Sequence, residues 1–186
     1  MGPPGDDRGV SEQPDRPASP GTRLLALYDE ALPQVYGYLL ARCGQQAVAE
    51  DLTAETFLAA VDAVRAGPAP LSTGWLIGVA RHKLVDHWRR QGREQRALTA
   101  AAGPPGPPPD DPWDAQLDAL RAREVLRQLG PHHRAALTLR YLDDLPVPQV
   151  AGLLGRTVHA TEALLVRART AFRTAYCQAG EEQGDD

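Results

Sequence analysis

A proline-rich stretch near the middle of the chain constrains its architecture most. Residues 99–112, TAAAGPPGPPPDDP, contain six prolines in their last nine positions. Because proline fixes φ and has no amide donor, this stretch cannot form a helix or an inner strand. It predicts a stiff, extended linker that rises by up to about 3.1 Å per residue where it is polyproline-like. The 186-residue chain is therefore divided into two pieces, each the size of a small domain.

The two ends of the chain are also poor in side chains that could form a core. The N-terminal 21 residues hold five prolines, which predicts a disordered tail, and the last ten residues, CQAGEEQGDD, are polar and acidic. The predicted organisation is a tail at 1–21, a domain at 22–98, a linker at 99–114, a second domain at 115–176 and an acidic tail at 177–186.

Apolar side chains in the first piece recur at the three- and four-residue spacing of helices. Helices are predicted from Leu25, over about Gln46–Val64, and from Trp75 to Arg90 or a little beyond, with Pro33 as a candidate kink. Ser72 or Thr73 can cap the third helix. The predicted core positions are Leu25, Tyr28, Leu32, Val35, Tyr36, Leu39, Val48, Leu52, Phe57, Leu58, Val61, Leu76 or Ile77, Ala80, Leu84 and Trp88.

The second piece also reads as helical. Helices are predicted near Asp114–Leu129, after Gly130-Pro131, over Val147–Leu154, and from a Thr157 cap to about Tyr176. The expected apolar face of the helix after Pro131 carries Ala135, Leu139 and Leu142, with Leu137 and Tyr141 beside them. The expected inward positions of the last helix are Val158, Thr161, Leu165, Ala168 and Phe172. A short helix, a glycine turn and a longer capped helix are typical of the helix-turn-helix, although other helical hairpins share the pattern. No stretch alternates like a strand, so the predicted fold class is all-α: two small helical domains joined by a Pro-rich linker.

Charge is unevenly distributed along the chain, whose net charge is −4. The acidic residues are concentrated in the tails and the linker. In contrast, residues 117–176 have a net charge of +4, and residues 81–96 hold six basic groups against two acids. A basic cluster of this kind suits phosphate binding, but a solvated helix face has the same composition.

Several classes of function are disfavoured. No apolar run approaches the ~20 residues of a membrane helix, and no secretory signal pattern is present, which predicts a cytoplasmic protein. Two cysteines, Cys43 and Cys177, cannot form a disulfide framework or a four-cysteine zinc site. No catalytic or phosphate-cradling motif occurs, and no histidine spacing suits a metal. We therefore expect no enzyme activity, no metal and no cofactor.

Three sequence motifs occur in a recognisable order. They are EDLTAETF at 50–57, WLIGVARHKLVDHWRR at 75–90, and a set from LGP at 129–131 through RAR at 167–169. Together with the intervening linker they resemble the extracytoplasmic-function (ECF) sigma factors of bacterial RNA polymerase, whose regions two and four carry these motifs. The resemblance covers about residues 22–98 and 117–176. It implies a region-two helical bundle and a region-four helix-turn-helix, without the third domain of larger sigma factors.

The first motif, by this resemblance, binds the coiled coil of the large catalytic subunit of core RNA polymerase. The residues implied are Glu50, Asp51, Leu52, Glu55 and Phe57. Asp51 and Glu55 are four residues apart on one helical face, with Leu52 and Phe57 turned inward, so the exposed edge suits a basic partner. The alternative is a solvated helix face that aids solubility.

The second motif is implied to open the promoter at the minus-ten element. The implied contact residues are Arg81, His82, Lys83, His87, Arg89 and Arg90, with His82 standing where the family usually has asparagine. Basic side chains would supply affinity through phosphate contacts, and aromatic rings could stack on single-stranded bases. Trp88 is either such a stacking surface or part of the core, and its position on the apolar stripe favours the core; the same holds for Trp75.

The final helix is implied to read the minus-thirty-five element. The implied residues are Arg156, Thr157, His159, Ala160, Glu162, Ala163 and Arg167, and Arg169 and Arg173 are further phosphate-contact candidates. Glu162 and Leu164 stand at positions that are basic in the family. Glu162 could accept from a cytosine amino group, and Leu164 could touch a thymine methyl or pack against a partner.

The sequence thus predicts an ECF-type sigma factor that binds core RNA polymerase and promoter DNA, with an anti-sigma protein as a further expected partner and nucleoid association when bound to polymerase. The linker acids Asp110, Asp111 and Asp114 could mimic RNA charge near the exit path. Two alternatives remain open. One is a DNA-binding regulator that works without polymerase, and the other is a sigma-like decoy that binds a partner through Ala163, Leu164 and Val166.

Overall fold

The computed structural model describes residues 19–98 and 119–181. Three helices form an N-terminal bundle: α1, Pro20–Cys43; α2, Gln46–Ala66; and α3, Thr73–Leu98. A C-terminal bundle follows, with α4, Ala119–Gln128; α5, Pro131–Leu137; a π-helical turn, Thr138–Leu142; α6, Val147–Leu154; and α7, Val158–Glu181. Both described ranges lack strands, so the all-α prediction is confirmed. The linker acids and the predicted helix start near Asp114 lie outside the described residues.

Local capping explains where the first helices begin and end. Ser19 Oγ accepts a hydrogen bond from the Thr22 amide at the start of α1, and Gly44, with φ of 69°, ends it. Ser72 Oγ accepts from the Trp75 amide at 3.1 Å, which confirms Ser72 as the cap of α3. Pro33 does not divide α1: the helix is continuous, because the proline is exposed and the carbonyl that lacks its donor can bond water.

The core of the N-terminal bundle follows the predicted stripe of α3. Leu76, Ala80, Leu84 and Trp88 are all almost completely buried. They share a core cluster with residues of α1 and α2 that include Val35, Leu39 and Leu52. Burying such a stripe is what stabilises helices that are only marginal in isolation.

Three of the predicted core positions in this bundle are wrong. Leu25 is 72% exposed, Leu58 is 64% exposed and Tyr28 is 38% exposed. In α1 the buried residues are instead Leu24, Ala31, Val35, Leu39 and Cys43. The buried face of α1 therefore begins at Leu24, about 100° around the helix from Leu25, and the apolar surface of both helices is wider than the face that their neighbours cover.

The C-terminal bundle confirms Pro131 as the first residue of a helix and Ala135 and Leu139 as core. Leu142, predicted to face inward, is 45% exposed, and Tyr141, predicted to lie beside that face, is 48% exposed. The cause is the π-helical turn, in which the Asp143 amide bonds the Thr138 carbonyl at 3.0 Å, because one extra residue per turn rotates the following side chains outward.

The last helix differs from the prediction in the burial of its first residue and in the position of its C-terminal end. Val158, its first residue, is 43% exposed, because it precedes the first turn that packs on the core. The helix continues to Glu181, beyond the predicted end near Tyr176, so Cys177 lies within it. Thr161, Leu165, Ala168 and Phe172 are buried as predicted.

The two bundles pack directly against each other, chiefly through α3 and α5. Gly92 of α3 lies against the ring of His132, so close that a Cβ at position 92 would stand 2.5 Å from two ring atoms. Arg96 Nη2 lies 2.9 Å from His132 Nε2. Since arginine only donates, the imidazole nitrogen must accept, which requires neutral His132.

This contact predicts a loss of stability in mild acid. Burial lowers the pKa of His132, and Arg96, Arg156 and His133 lower it further. His132 therefore takes up a proton near pH 6.5 in the unfolded chain but only at a lower pH in the folded chain. The folded state has its full stability above pH 6.5 and loses stability as the pH falls below it. We expect the free energy of unfolding to decrease from pH 7.5 to 5 and to decrease less in His132→Gln. Denaturant unfolding across the pH series measures this, and parallel curves for the two proteins would contradict it.

Candidate nucleic-acid interface

Helix α3 presents its basic residues on two different sides. On one side, Lys83 Nζ and Arg90 Nη2 lie 3.7 Å and 3.9 Å from the two carboxylate oxygens of Glu55 on α2. All three side chains remain partly exposed, and His82 nearby is exposed. These long ion pairs at the surface are weak and can exchange for phosphate contacts.

The other side of α3 faces the C-terminal bundle. Arg81 Nε lies 3.0 Å from Asp143 Oδ2, and Arg89 Nη2 lies so close to Gly155 that a Cβ there would be 2.6 Å away. Arg89 also pairs with Asp86 at 3.3 Å. Of the residues predicted to contact the minus-ten element, Arg81 and Arg89 are therefore turned toward the second bundle.

His87 is half-buried beside α2 and α5. Burial lowers its pKa, as do Arg90 and Arg134, while Glu55 and Glu94 oppose the shift. The imidazole is thus neutral at pH 7 and can serve only as a hydrogen-bond partner, without a charge for phosphate. Trp88 is 1% exposed and belongs to the core, and its Nε1 has no hydrogen-bond partner among the described residues. Trp75 is half-buried.

The acidic edge of α2 is smaller than the sequence suggested. Glu50 and Asp51 are exposed, and Glu50 accepts from Gln46 at 2.8 Å. Glu55 is occupied by its two basic neighbours on α3. Leu52 and Phe57 are buried, as their inward orientation required. The residues free to attract a basic partner directly are therefore Glu50 and Asp51.

Sequence reasoning missed an apolar groove beside this edge. Leu25, Tyr28, Leu58 and Val61 line a groove of about 640 Å³ between α1 and α2. The ring of Tyr28 lies over that of Phe57, with centroids 4.8 Å apart. Contiguous exposed apolar surface of this kind marks interaction sites. The signal in the sequence is an apolar stripe too wide for one helix neighbour to cover.

In the C-terminal bundle, α6 and α7 form a helix-turn-helix. Gly155 adopts a left-handed conformation with φ of 61° and ends α6. Thr157 Oγ1 accepts from the Ala160 amide at 3.2 Å and caps α7, as predicted. The start of α7 presents its predicted contact residues outward or partly outward: Arg156, Thr157, His159, Ala160, Glu162, Ala163 and Arg167.

Leu164 does not belong to this outward face. It is only 4% exposed and lies in the core cluster, so it is not available to a thymine methyl or to a partner. Glu162 is exposed and lies 3.9 Å from His159. The two departures from the family's basic pattern are thus different: one is a core residue and the other is a surface charge.

We expect opposite results from restoring a basic residue at these two positions. Leu164→Arg should destabilise the fold by about 3–5 kcal/mol, because it buries an unpaired charge. Glu162→Lys should leave stability unchanged and steepen the dependence of DNA affinity on salt by about one unit of logarithmic slope, the effect of one added phosphate contact. Thermal unfolding and salt titrations measure both, and equal stability losses would contradict the assignment.

No helix of the described ranges is long and apolar enough to cross a membrane. Likewise, the part of the chain that the structure describes holds no cluster of three histidine, cysteine or acidic residues able to bind a metal.

Comparison with known proteins gives matches over both bundles. The chain matches the family Sigma-70 region 2 over residues 27–94 and the family Sigma-70, region 4 over residues 119–172. It is 31% identical to the ECF RNA polymerase sigma factor SigL of Mycobacterium tuberculosis (strain H37Rv), across 88% of this chain and 94% of SigL. It is 32% identical to the ECF sigma factor BldN of Streptomyces coelicolor, across 76% of this chain and 56% of that longer protein.

Two solved structures also match. One is the sigma factor RpoE in complex with the anti-sigma factor NepR from Bartonella quintana, with a TM-score of 0.49 and 18% identity, covering 80% of this chain and 92% of RpoE. The other is the RsbN–BldN complex, with a TM-score of 0.32 and 26% identity, covering 81% and 89%.

A helical bundle with a basic helix, followed by a helix-turn-helix bundle, is an arrangement typical of a two-domain DNA-binding protein. The two family matches in this order, and the identity with SigL over nearly its whole length, show that the chain belongs to the ECF RNA polymerase sigma factors. It is a non-enzymatic transcription initiation factor.

Proposed function

We propose that this chain binds core RNA polymerase through α2, opens promoters at the minus-ten element through α3, and reads the minus-thirty-five element through the start of α7. The observation that carries this assignment is the surface of α2, where Glu50 lines an apolar pocket that shares Tyr28 and Phe57 with the adjoining groove, and exposed Asp51 is the next residue. A charged edge next to an apolar strip is what a stable protein partner needs: the charge steers the encounter and the apolar area supplies affinity.

The groove enlarges the polymerase site beyond the predicted acidic residues. Leu58 and Tyr28 would be covered by the partner, with Asp51 and Glu50 at the rim. Leu52 and Phe57 act by packing, since both are buried, and Glu55 acts by positioning Lys83 and Arg90 of the next helix. Polymerase binding and minus-ten binding would thus share one structural unit, α2 packed on α3.

In the DNA-binding proposal, the two bundles contribute in different ways. On α3, the side chains of His82, Lys83 and Arg90 point away from the second bundle, whereas Arg81 and Arg89 are partly exposed and in contact with it. At the start of α7, Arg156 and Arg167 supply phosphate contacts. The residues that face the groove of the DNA are Thr157, His159, Ala160, Glu162 and Ala163. We also propose that an anti-sigma protein binds this factor, and that it acts in the cytoplasm, on the nucleoid when bound to polymerase.

Footprinting on promoter DNA with and without core polymerase separates this function from a stand-alone regulator. We expect sequence-specific protection of both promoter elements only when core polymerase is present, because a single small module buries only about 600–1,000 Å² on DNA and polymerase would let both bundles bind at once. Specific protection by the isolated protein, unaffected by added core polymerase, would support the regulator and overturn the proposal.

A further inference from the structure

The carboxylate of Asp143 is buried between the two bundles. Its side chain is 1% exposed, although it follows the π-helical turn of the C-terminal bundle. Oδ1 accepts from Arg42 Nη2 at 2.6 Å and from Arg42 Nε at 2.9 Å. Oδ2 accepts from Tyr38 Oη at 2.8 Å and from Arg81 Nε at 3.0 Å. Both oxygens are therefore satisfied by α1 and α3 of the other bundle.

The three partners are arranged around this one carboxylate. The guanidinium of Arg42 stacks on the ring of Tyr38 at 3.7 Å from its centroid and bonds the Tyr38 carbonyl. Burial and the nearby Asp143 raise the pKa of Tyr38 to about 12, so its hydroxyl remains a donor. A buried carboxylate needs such a complete set of donors, because a missing one would leave its desolvation uncompensated.

Asp144, the next residue, shows that acidic side chains at this turn are not buried in general. Its side chain is 98% exposed and pairs only with Arg140 of its own bundle, at 3.6 Å. Within the described residues, Asp143 makes every side-chain hydrogen bond and ion pair with the N-terminal bundle. Its side chain therefore holds the bundles together and contributes little within its own.

The same interface covers groups that the proposed function needs for DNA. Arg81 is held by Asp143, and Arg89 lies against Gly155 in the turn of the helix-turn-helix. His132 packs on Gly92 a further turn along α3. The inward side of α3 therefore lies against the turn before the recognition helix, and this contact partly covers Arg81 and Arg89, whose side chains are 26% and 34% exposed.

We propose that the isolated chain holds itself in a closed state in which Asp143, bound by Tyr38, Arg42 and Arg81, keeps the two bundles together and keeps Arg81 and Arg89 in contact with the second bundle instead of DNA. This closed state rests on the proposed roles of α3 and α7. Binding to core polymerase would then need to separate the bundles, and free factor would bind DNA poorly. Relative motion of the domains of one chain is common, and a partner that binds the open form better shifts the population toward it.

Asp143→Asn and Asp144→Asn make a matched pair of variants, since each removes one charge and keeps the side-chain shape. Asparagine also tolerates the left-handed φ of 49° at position 144. Small-angle X-ray scattering of the full chain alone should show a larger radius of gyration for Asp143→Asn and no change for Asp144→Asn. We expect the ratio of open to closed protein to rise about thirtyfold, the lower end for breaking a buried hydrogen-bonded charge pair.

Arg42→Met tests the other side of the contact without touching the proposed DNA or polymerase residues. It should open the chain as Asp143→Asn does, with unchanged helix content by circular dichroism. Both variants should bind random-sequence duplex DNA about tenfold more tightly than the wild type at low salt, because the closed state no longer competes. Asp144→Asn should gain far less.

Unchanged scattering in Asp143→Asn at equal helix content would overturn the closed state. Opening without any gain in DNA affinity would overturn its inhibitory role. An equal increase in radius of gyration and DNA affinity in Asp144→Asn would show that the loss of one negative charge is the cause, not the loss of the Asp143 contact. That result would also overturn the proposal. Failure of the proposed function would appear separately, as no promoter protection by the complex with core polymerase, while the scattering comparison would still decide whether Asp143 closes the chain.

Discussion

Asp51→Arg is expected to lower the affinity for core RNA polymerase about a hundredfold. Asp51 is an exposed acid of α2 next to Glu50, which lines the apolar pocket that adjoins the groove, and the variant would place a cation against a basic partner surface. A like-charge contact of this kind costs several kcal/mol, where 1.4 kcal/mol is already tenfold. Competition with a labelled sigma factor for core polymerase measures the affinity.

Asp62→Arg is the matched control for this variant. Asp62 is also on α2, 79% exposed, and pairs only weakly with Arg65 at 4.0 Å. It lies about 16 Å further along α2, beside Arg65 at the other end of the groove. Because Arg65 already makes that end of the groove basic, the same charge change there should lower affinity less than threefold. Leu58→Asp, which places a charge in the groove, should lower affinity as strongly as Asp51→Arg, whereas Leu120→Asp on exposed α4 should not. Equal losses in Asp51→Arg and Asp62→Arg would contradict the site.

Trp88→Ala should produce the largest loss of stability. The side chain is 1% exposed and is the largest of the fully buried side chains in the described core. Removing it leaves a cavity, and large-to-small changes of this kind cost about 3–5 kcal/mol. Chemical denaturation at pH 7 measures the loss of free energy of unfolding.

Trp88→Phe separates packing from a direct role in DNA opening. The Trp88 Nε1 has no partner among the described residues, so phenylalanine fills most of the space and removes a buried, unsatisfied donor. We expect it to cost well under half of the loss in Trp88→Ala and to retain promoter opening. If Trp88→Phe is stable but fails to open promoters, the indole has a role beyond the core.

The sequence predicted those parts of the fold that depend on local chemistry. Ser72 and Thr157 cap helices because their side chains reach nearby amides, and Pro131 starts a helix because its missing amide is not needed there. The stripe of α3 was clear because its apolar residues are separated by polar ones. Apolar spacing could not distinguish Leu24 from Leu25, since it marks which residues can be buried and not which face a neighbour covers.

The predicted sites were limited by contacts between residues far apart in the chain. Glu55 of α2 was assigned to the acidic edge, but Lys83 and Arg90 of the neighbouring helix α3 lie 3.7 Å and 3.9 Å from its carboxylate oxygens. Arg81 was assigned to DNA, but Asp143, 62 residues later, binds it in this structure. Nothing in the local sequence of Asp143 distinguishes it from exposed Asp144, because only the packing of the two bundles makes them different.

Transcription in vitro tests the central claim most directly. The purified chain would be added to core RNA polymerase on a library of genomic fragments, beside the Asp51→Arg variant and a reaction without sigma factor. We predict discrete start sites that require the wild-type chain and disappear with Asp51→Arg. Core binding without any transcripts would support the decoy instead, and a folded chain with neither transcripts nor core binding would contradict the account.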